Sequence, residues 1–389
     1  MADSAERIAN RERILNDFID FISIDSPSLR ERRMADMLRG KLAAIGFDVY
    51  EDDAGVKAGG DSGNLIAVLR GDPDMPSVAL LAHMDTVNPC ENKRWIVDGD
   101  TVRTDGNTIL GADDGAGVVA ALEIARRVLE EQLRRGDIFI IYTICEETGL
   151  LGAKLLNHDV VKSAASNGAL PQFCFVFDSG SPPGSVVARA PSHMDLKITV
   201  RGAAAHAGIE PEKGINAIAV ASEAIAAMPL GRIDFETTAN IGIIKGGLAR
   251  NIVCETVYID GEARSHDRGK LAEQTAKMKA CVDAACARRN ARYDFVETLE
   301  YEAFALNAGD PVIDLLTRAA KALGGELSLV PTGGGSDANI LNAIGVPAAN
   351  LPVGMHNAHS TSEYADLRET AGTIELVVSA FRILTGVTV

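Results

Sequence analysis

Five short stretches of this 389-residue chain each end an apolar run with a residue type that binds metal. His83 lies in "LLAHMDTV", Asp113 in "ILGADDGAG", Glu146 and Glu147 in "TICEETG", Asp178 in "FVFDSG" and His359 in "GMHNAHSTSEY". Singly each has an ordinary reading. A histidine after a strand is commonly satisfied by local hydrogen bonds, an aspartate there caps a helix, and an acidic pair is a solvated face. Their occurrence in order along one chain is what carries weight. Together they offer the N and O donors that suit zinc, cobalt or manganese. Five ligands exceed one tetrahedral ion. They match two ions about 3.5–4 Å apart that share a carboxylate, as in two-metal hydrolases. Neighbouring side chains in a strand face opposite ways, so Glu146 and Glu147 are not expected to share one role.

The elements that must position these residues read as alternating strands and helices. "NLIAVLRG", "SVALLAHMDTV", "DIFIIYTI" and "FCFVFDSG" are apolar strand runs, and "DGAGVVAALEIARRVLEEQ" is a helix opened by acids. That alternation implies an α/β layered sheet with ligands outside the strand ends. The texture changes near Ala190. From there to "RYDFVETLEYEAF" the order is βαββαβ, the split ferredoxin-like unit. The spacing predicts a catalytic α/β domain over 1–189 and 305–389, interrupted by an inserted α+β domain over 190–304.

Composition narrows the function. A formal net charge of −16 argues against nucleic acid and anionic membrane surfaces. The N-terminal segment is charged from its start and has helical apolar spacing at Ile14, Leu15, Phe18, Ile19, Phe21 and Ile22, so it reads as a surface helix rather than a signal peptide. No run approaches the roughly 18 apolar residues of a membrane span. Six cysteines without CxxC spacing, most in apolar surroundings, predict buried thiols in a cytoplasmic chain. Cys145, beside the glutamates, has no adjacent histidine and is not expected to be a nucleophile.

"HMDTV", "GADDGAG", "EETG", "AAHAGIEPEKGINAI", "NIGIIKGGLARNIV", "EARSHD" and "HSTSEY" follow one another across nearly the whole chain. In this the sequence resembles the dizinc exopeptidases, which include peptidase T, glutamate carboxypeptidase, aminoacylase and succinyl-diaminopimelate desuccinylase. The nearest likeness is to the peptidase T-like branch. The resemblance implies that Asp113 bridges two ions, with His83 and Asp178 completing one and Glu147 and His359 the other. It makes Glu146 the general base, and Asp85, two residues beyond His83 on the same strand face, the group that orients the imidazole. His206 would stabilise the oxyanion, often across a dimer in the family. Asn251 and Arg264 would hold the substrate. A cis peptide is implied at Asp113–Asp114, while Gly115 carries no chemical expectation.

The loop "PTGGGSDAN" offers Gly333, Gly334 and Gly335, whose backbone has room to approach a substrate, Gly334 being taken as the contact. It lacks the GxxxxGK[ST] pattern and its lysine, so a phosphate loop is not expected. His356 is the rival imidazole to His359. The expectation is a cytoplasmic dizinc exopeptidase with an inserted lid, cleaving short peptides as an aminopeptidase or tripeptidase. Two divalent ions, Zn2+ or alternatively Co2+ or Mn2+, and a homodimer through the lid go with it. The same site also suits a carboxypeptidase, a dipeptidase or an N-acyl amino acid deacylase, since fold does not fix substrate. A non-catalytic peptide binder is disfavoured by the complete ligand set and Glu146.

Overall fold

The three apolar runs that close on candidate ligands, at His83, at Glu146 and Glu147, and at Asp178, lie in one sheet. The computed structural model describes residues 2–386, with side chains from residue 11. Two compact units emerge. Residues up to Ala188, Leu306–Pro331 and Ser336 onward form the first, and Arg189–Ala305 with Thr332–Gly335 form the second.

In the first unit the sheet runs Asp48–Glu51, Leu65–Leu69, Ile138–Thr143, Val78–His83, Phe173–Ser179, Ala348–Pro352 and Ser185–Ala190. The four strands Ile138–Thr143, Val78–His83, Phe173–Ser179 and Ala348–Pro352 pair in parallel. They are almost wholly buried, as strands covered on both faces must be. Parallel register brings the chemistry into line. His83 stands opposite Thr143, and Leu81 opposite Val176, so two residues further on Asp178 comes level with His83. Helices Ala112–Glu130, Pro311–Ala322 and Leu367–Leu384 join the N-terminal helix Ala2–Ile22 around the core. Burying each large side chain, Phe18, Phe21, Phe175 and Phe177 among them, is worth about 1.5–3 kcal/mol.

Gly115 acquires a reason here. A Cβ on it would stand 2.5 Å from Phe21 Cδ1 and 3.3 Å from Phe18 Cε2, so its absence lets the two phenylalanines pack against the first turn of the helix. A small antiparallel sheet of Met355–His356, Tyr364–Asp366, Thr101–Thr104 and Trp95–Asp98 gave no sequence signal. The loop between its first two strands carries His359.

The second unit is ferredoxin-like. Its strands run Thr237–Gly246, Thr256–Ser265, Ser192–Arg201, Arg292–Tyr301, all antiparallel, with Gly231–Arg232 added at the edge. Alternation along Ser192–Arg201 buries Leu196, Ile198 and Val200 against helices Ala217–Ala227 and Arg268–Arg289. Asn216 and Asp267 cap those helices through main-chain N–H groups.

The Gly-rich segment corrects the predicted boundary. The texture predicts it in the catalytic domain, whereas Thr332–Gly335 belongs to the second unit. Thr332 N–H donates to the Arg189 carbonyl at 2.9 Å, and the Thr332 carbonyl lies 2.8 Å from His266 Nε2. Gly335 abuts the ring of Tyr301, which a Cβ would approach to 2.3 Å. Among the described residues no helix is long and apolar enough to cross a membrane.

Candidate metal centre

The ends of the parallel strands converge on one cluster. Two groups of side chains have ligand atoms within 4.8 Å of one another: His83, Asp113 and Asp178, and Asp113, Glu147 and His359. Asp113 belongs to both. Its Oδ1 lies 2.9 Å from His83 Nε2 and its Oδ2 3.3 Å from His359 Nε2. His359 Nε2 also lies 2.9 Å from Glu147 Oε2. Carboxylates outnumber imidazoles in this buried space, and such a surplus calls for cations. The donor set of histidine nitrogens and carboxylate oxygens therefore fits two divalent ions sharing Asp113.

Electrostatics follow from the crowding. Burial disfavours the charge on Asp113, but hydrogen bonds from His359 and His83 outweigh it and hold the carboxyl below the usual range. Burial and the neighbouring Asp113 push Asp178 well up. Burial and then Asp178 do the same to Glu146. Asp113 and Glu147 raise His359 to about 10. Positive charge brought by ions relieves the two raised carboxyls.

The scaffold around each ligand is specific. Nδ1 of His83 stands 2.9 Å from the main-chain carbonyl of Asp85. A carbonyl only accepts, so Nδ1 carries the proton and Nε2 is the ligand atom. The Asp85 carboxylate also reaches Nδ1, at 3.5 Å, so Asp85 contacts the imidazole as the resemblance implies, although the strand ends at His83 and the two share no strand face. The same carboxylate receives the N–H groups of Glu146 at 2.9 Å and Glu147 at 3.3 Å. The glutamates are likewise not in a strand. The strand stops at Thr143, and Cys145 adopts φ +50° before a turn, so both side chains are buried toward the cluster.

Asp113 and Asp114 interrupt the helix Ala112–Glu130 with non-helical backbone and a cis peptide between them. Asp114 accepts the main-chain N–H of His83 at 3.2 Å and of Gly117 at 3.1 Å. Asn350 clamps the main chain of Asp178, accepting its N–H at 3.0 Å and donating to its carbonyl at 2.6 Å. His356 is occupied elsewhere, bonded to Glu369 at 3.0 Å and stacked on Tyr364, which leaves His359 as the ligand. The Cys145 thiol is pushed up to about 12 by burial and by Glu31, unsuited to nucleophilic work.

The remaining predicted residues lie in the second unit. His206 is exposed and pairs in a short bridge with Ile252, beside Asn251, whose carbonyl accepts Ala207 N–H at 3.0 Å. Arg264 donates to Glu262 at 2.9 Å, and its Nε is buried without a hydrogen-bond partner. Gly334 donates its N–H to Thr332 Oγ1 at 3.2 Å.

Glu363 had no assigned role in the sequence. It is buried, and its carboxylate accepts the N–H groups of Leu110 at 2.6 Å, Gly111 at 2.8 Å and Asp113 at 3.0 Å. It thereby fixes the loop that carries the shared ligand. The motif "HSTSEY" contained it, but only the fold shows what it touches. In Glu363→Gln the amide NH2 must face one of those N–H donors, leaving a buried clash. The expected loss is about 1–3 kcal/mol of stability in the first unit, read as a lower unfolding midpoint in denaturant. An unchanged midpoint would remove Glu363 from this role.

Comparison with known proteins agrees with the site. The model of peptidase family M20/M25/M40 matches residues 79–382. A Bacillus subtilis (strain 168) protein of uncharacterised function, YqjE, is 40% identical, covering 96% of this chain and 98% of its own. The crystal structure of aminopeptidase PepT from Bacillus cereus ATCC 10987 superposes with a TM-score of 0.83 at 38% identity, over 96% of this chain and 98% of that one. A tripeptidase from Staphylococcus aureus subsp. aureus mu50 gives 0.88 at 34% identity, over 97% and 99%. With the shared aspartate, its two flanking ligand groups and the buried glutamate all inside the matched span, the chain belongs to peptidase family M20/M25/M40.

Proposed function

We propose that this hydrolase is a metal-dependent exopeptidase that cleaves short peptides as an aminopeptidase, with tripeptides its preferred length. The observation that carries the reading is the pair of ligand groups sharing Asp113 with Glu146 buried beside them. Likeness to an aminopeptidase and a tripeptidase supports the choice of substrate. His83 and Asp178 would hold one ion, Glu147 and His359 the other, and Asp113 both, the donor set being one that zinc accepts readily. When bound, the ions polarise the scissile carbonyl and acidify an attacking water.

The chain's own groups do the rest. Glu146 takes the proton of that water and passes it to the leaving amine. Its main chain is tied to Asp85, so the carboxylate turns about a fixed base. His206 stabilises the oxyanion of the tetrahedral intermediate, and Asn251, Arg264 and Gly334 contact the peptide. The buried unpartnered Nε of Arg264 supports a role in taking up a substrate carboxylate.

The test is hydrolysis by the zinc- or cobalt-loaded enzyme of a free tripeptide, its N-acetylated form, its C-terminal amide and an N-acyl amino acid. Metal-dependent cleavage that requires the free amine is the expected result. Cleavage of the acylated substrates instead would move the activity to a carboxypeptidase or deacylase. His206→Ala on the same peptides reads the oxyanion role, which an unchanged kcat would sink.

A further inference from the structure

Four consecutive main-chain amides lead up to the catalytic carboxylates, and each donates to a buried side-chain oxygen. Ile144 N–H meets Asn64 Oδ1 at 3.0 Å and Cys145 N–H meets Glu31 Oε1 at 3.1 Å. Glu146 and Glu147 N–H meet the two oxygens of Asp85 at 2.9 and 3.3 Å. Nothing in the sequence singled out Glu31, which reaches Cys145 from 114 residues away.

Glu31 is fully buried. Its Oε1 accepts three donors: Leu29 N–H at 2.9 Å, Cys145 N–H, and the Cys145 thiol at 3.2 Å. Its Oε2 is buried with no hydrogen-bond partner. A buried, half-satisfied carboxylate is costly, and so is a non-glycine residue such as Cys145 held at φ +50°. The two costs meet at one hydrogen bond, from the N–H of Cys145, the residue before Glu146, to Glu31. Strain that the surrounding structure over-determines is retained where geometry matters to function.

We propose that Glu31 is a positioning residue for the catalytic turn. By holding Cys145 N–H on one side while Asp85 holds the next two amides on the other, it aims Glu146 at the proton and Glu147 at its ion. The inference rests on the two-metal hydrolase reading above. It predicts that the reach of the Glu31 oxygen matters and its charge does not.

Two variants of the full-length holoenzyme separate these. Glu31→Gln keeps an oxygen at the Oε1 position and removes the charge. Glu31→Asp keeps the charge and withdraws the oxygen by one carbon–carbon bond, about 1.5 Å. Misplacement by about 1 Å costs on the order of 10²-fold in rate, and outer-shell changes cost about 10–100-fold in metal affinity. In Glu31→Asp, kcat should therefore fall at least about tenfold, with KM within about twofold. Competition with a chelator should show one of the two ions loosened at least about tenfold. Glu31→Gln should stay within about threefold of the parent in kcat and in both metal affinities.

A loss in Glu31→Gln as large as or larger than that in Glu31→Asp would show that the carboxylate charge is required and overturn the proposal, as would no loss in either. If Glu31→Asp does not fold, Glu31→Gln decides alone, retention supporting the proposal and loss overturning it. Metal affinity is measured without substrate. An enzyme that cleaves none of the peptides would therefore sink the exopeptidase reading and leave this comparison standing.

Discussion

Glu146→Gln is expected to lower kcat by about three orders of magnitude, within the range a general base supplies, while two metal ions stay bound. Glutamine matches glutamate in shape but has no basic oxygen, so it cannot take the proton of the attacking water. The side chain lies outside both ligand groups, so neither ion loses a donor. Its main-chain N–H remains tied to Asp85, so the turn keeps its place. Burial and the charge of Asp178 already work against an ionised Glu146, so the neutral substitute adds no electrostatic penalty to the fold. Thermal stability should hold or rise slightly. The check is metal content per chain by elemental analysis beside kcat on the preferred peptide. A rate within tenfold of the parent would end the general-base assignment. A drop accompanied by loss of one ion would move Glu146 into the ligand set.

His83, Glu147 and Asp178 were legible because each sits at or just beyond an apolar run, and such runs announce buried parallel strands, whereas Asp113 and His359 stood out only through their motifs. The order βαββαβ was legible for a similar reason, since alternating burial and helical spacing leave different marks. What the sequence could not show was how distant backbone is held. Glu363, Asn350 and Glu31 are polar residues in ordinary contexts, and their partners lie 250, 172 and 114 residues away. Local pattern carries no record of such pairings. Asp85 was legible in part. It contacts His83 as the resemblance implies, through its carbonyl at 2.9 Å and its carboxylate at 3.5 Å, but not on a shared strand face, since the strand ends at His83. The hold of that carboxylate on the amides of Glu146 and Glu147 left no mark in the sequence. The Gly-rich loop was assigned by texture after Ala305, yet its hydrogen bonds run to Arg189 and His266. Tertiary partners, not composition, fixed its unit.

The shared position of Asp113 makes an asymmetry measurable. Asp113→Ala removes one donor from each ligand group and leaves two pairs, His83 with Asp178 and Glu147 with His359. His359→Ala removes a donor from one group only. Loss of a direct ligand should exceed the roughly 10–100-fold weakening seen for outer-shell partners. Asp113→Ala should therefore weaken both binding events by more than about 10²-fold, while His359→Ala weakens one and spares the other. The backbone at Asp113 should survive the change, because Glu363 holds its N–H and the flanking amides independently of its side chain. Retained structure separates ligand loss from unfolding. Metal titration by calorimetry on both variants is the measurement, with circular dichroism to confirm the fold. If Asp113→Ala loses only one ion, the carboxylate belongs to a single site. Its contacts at 2.9 Å to His83 and 3.3 Å to His359 would then reflect crowding rather than a bridge.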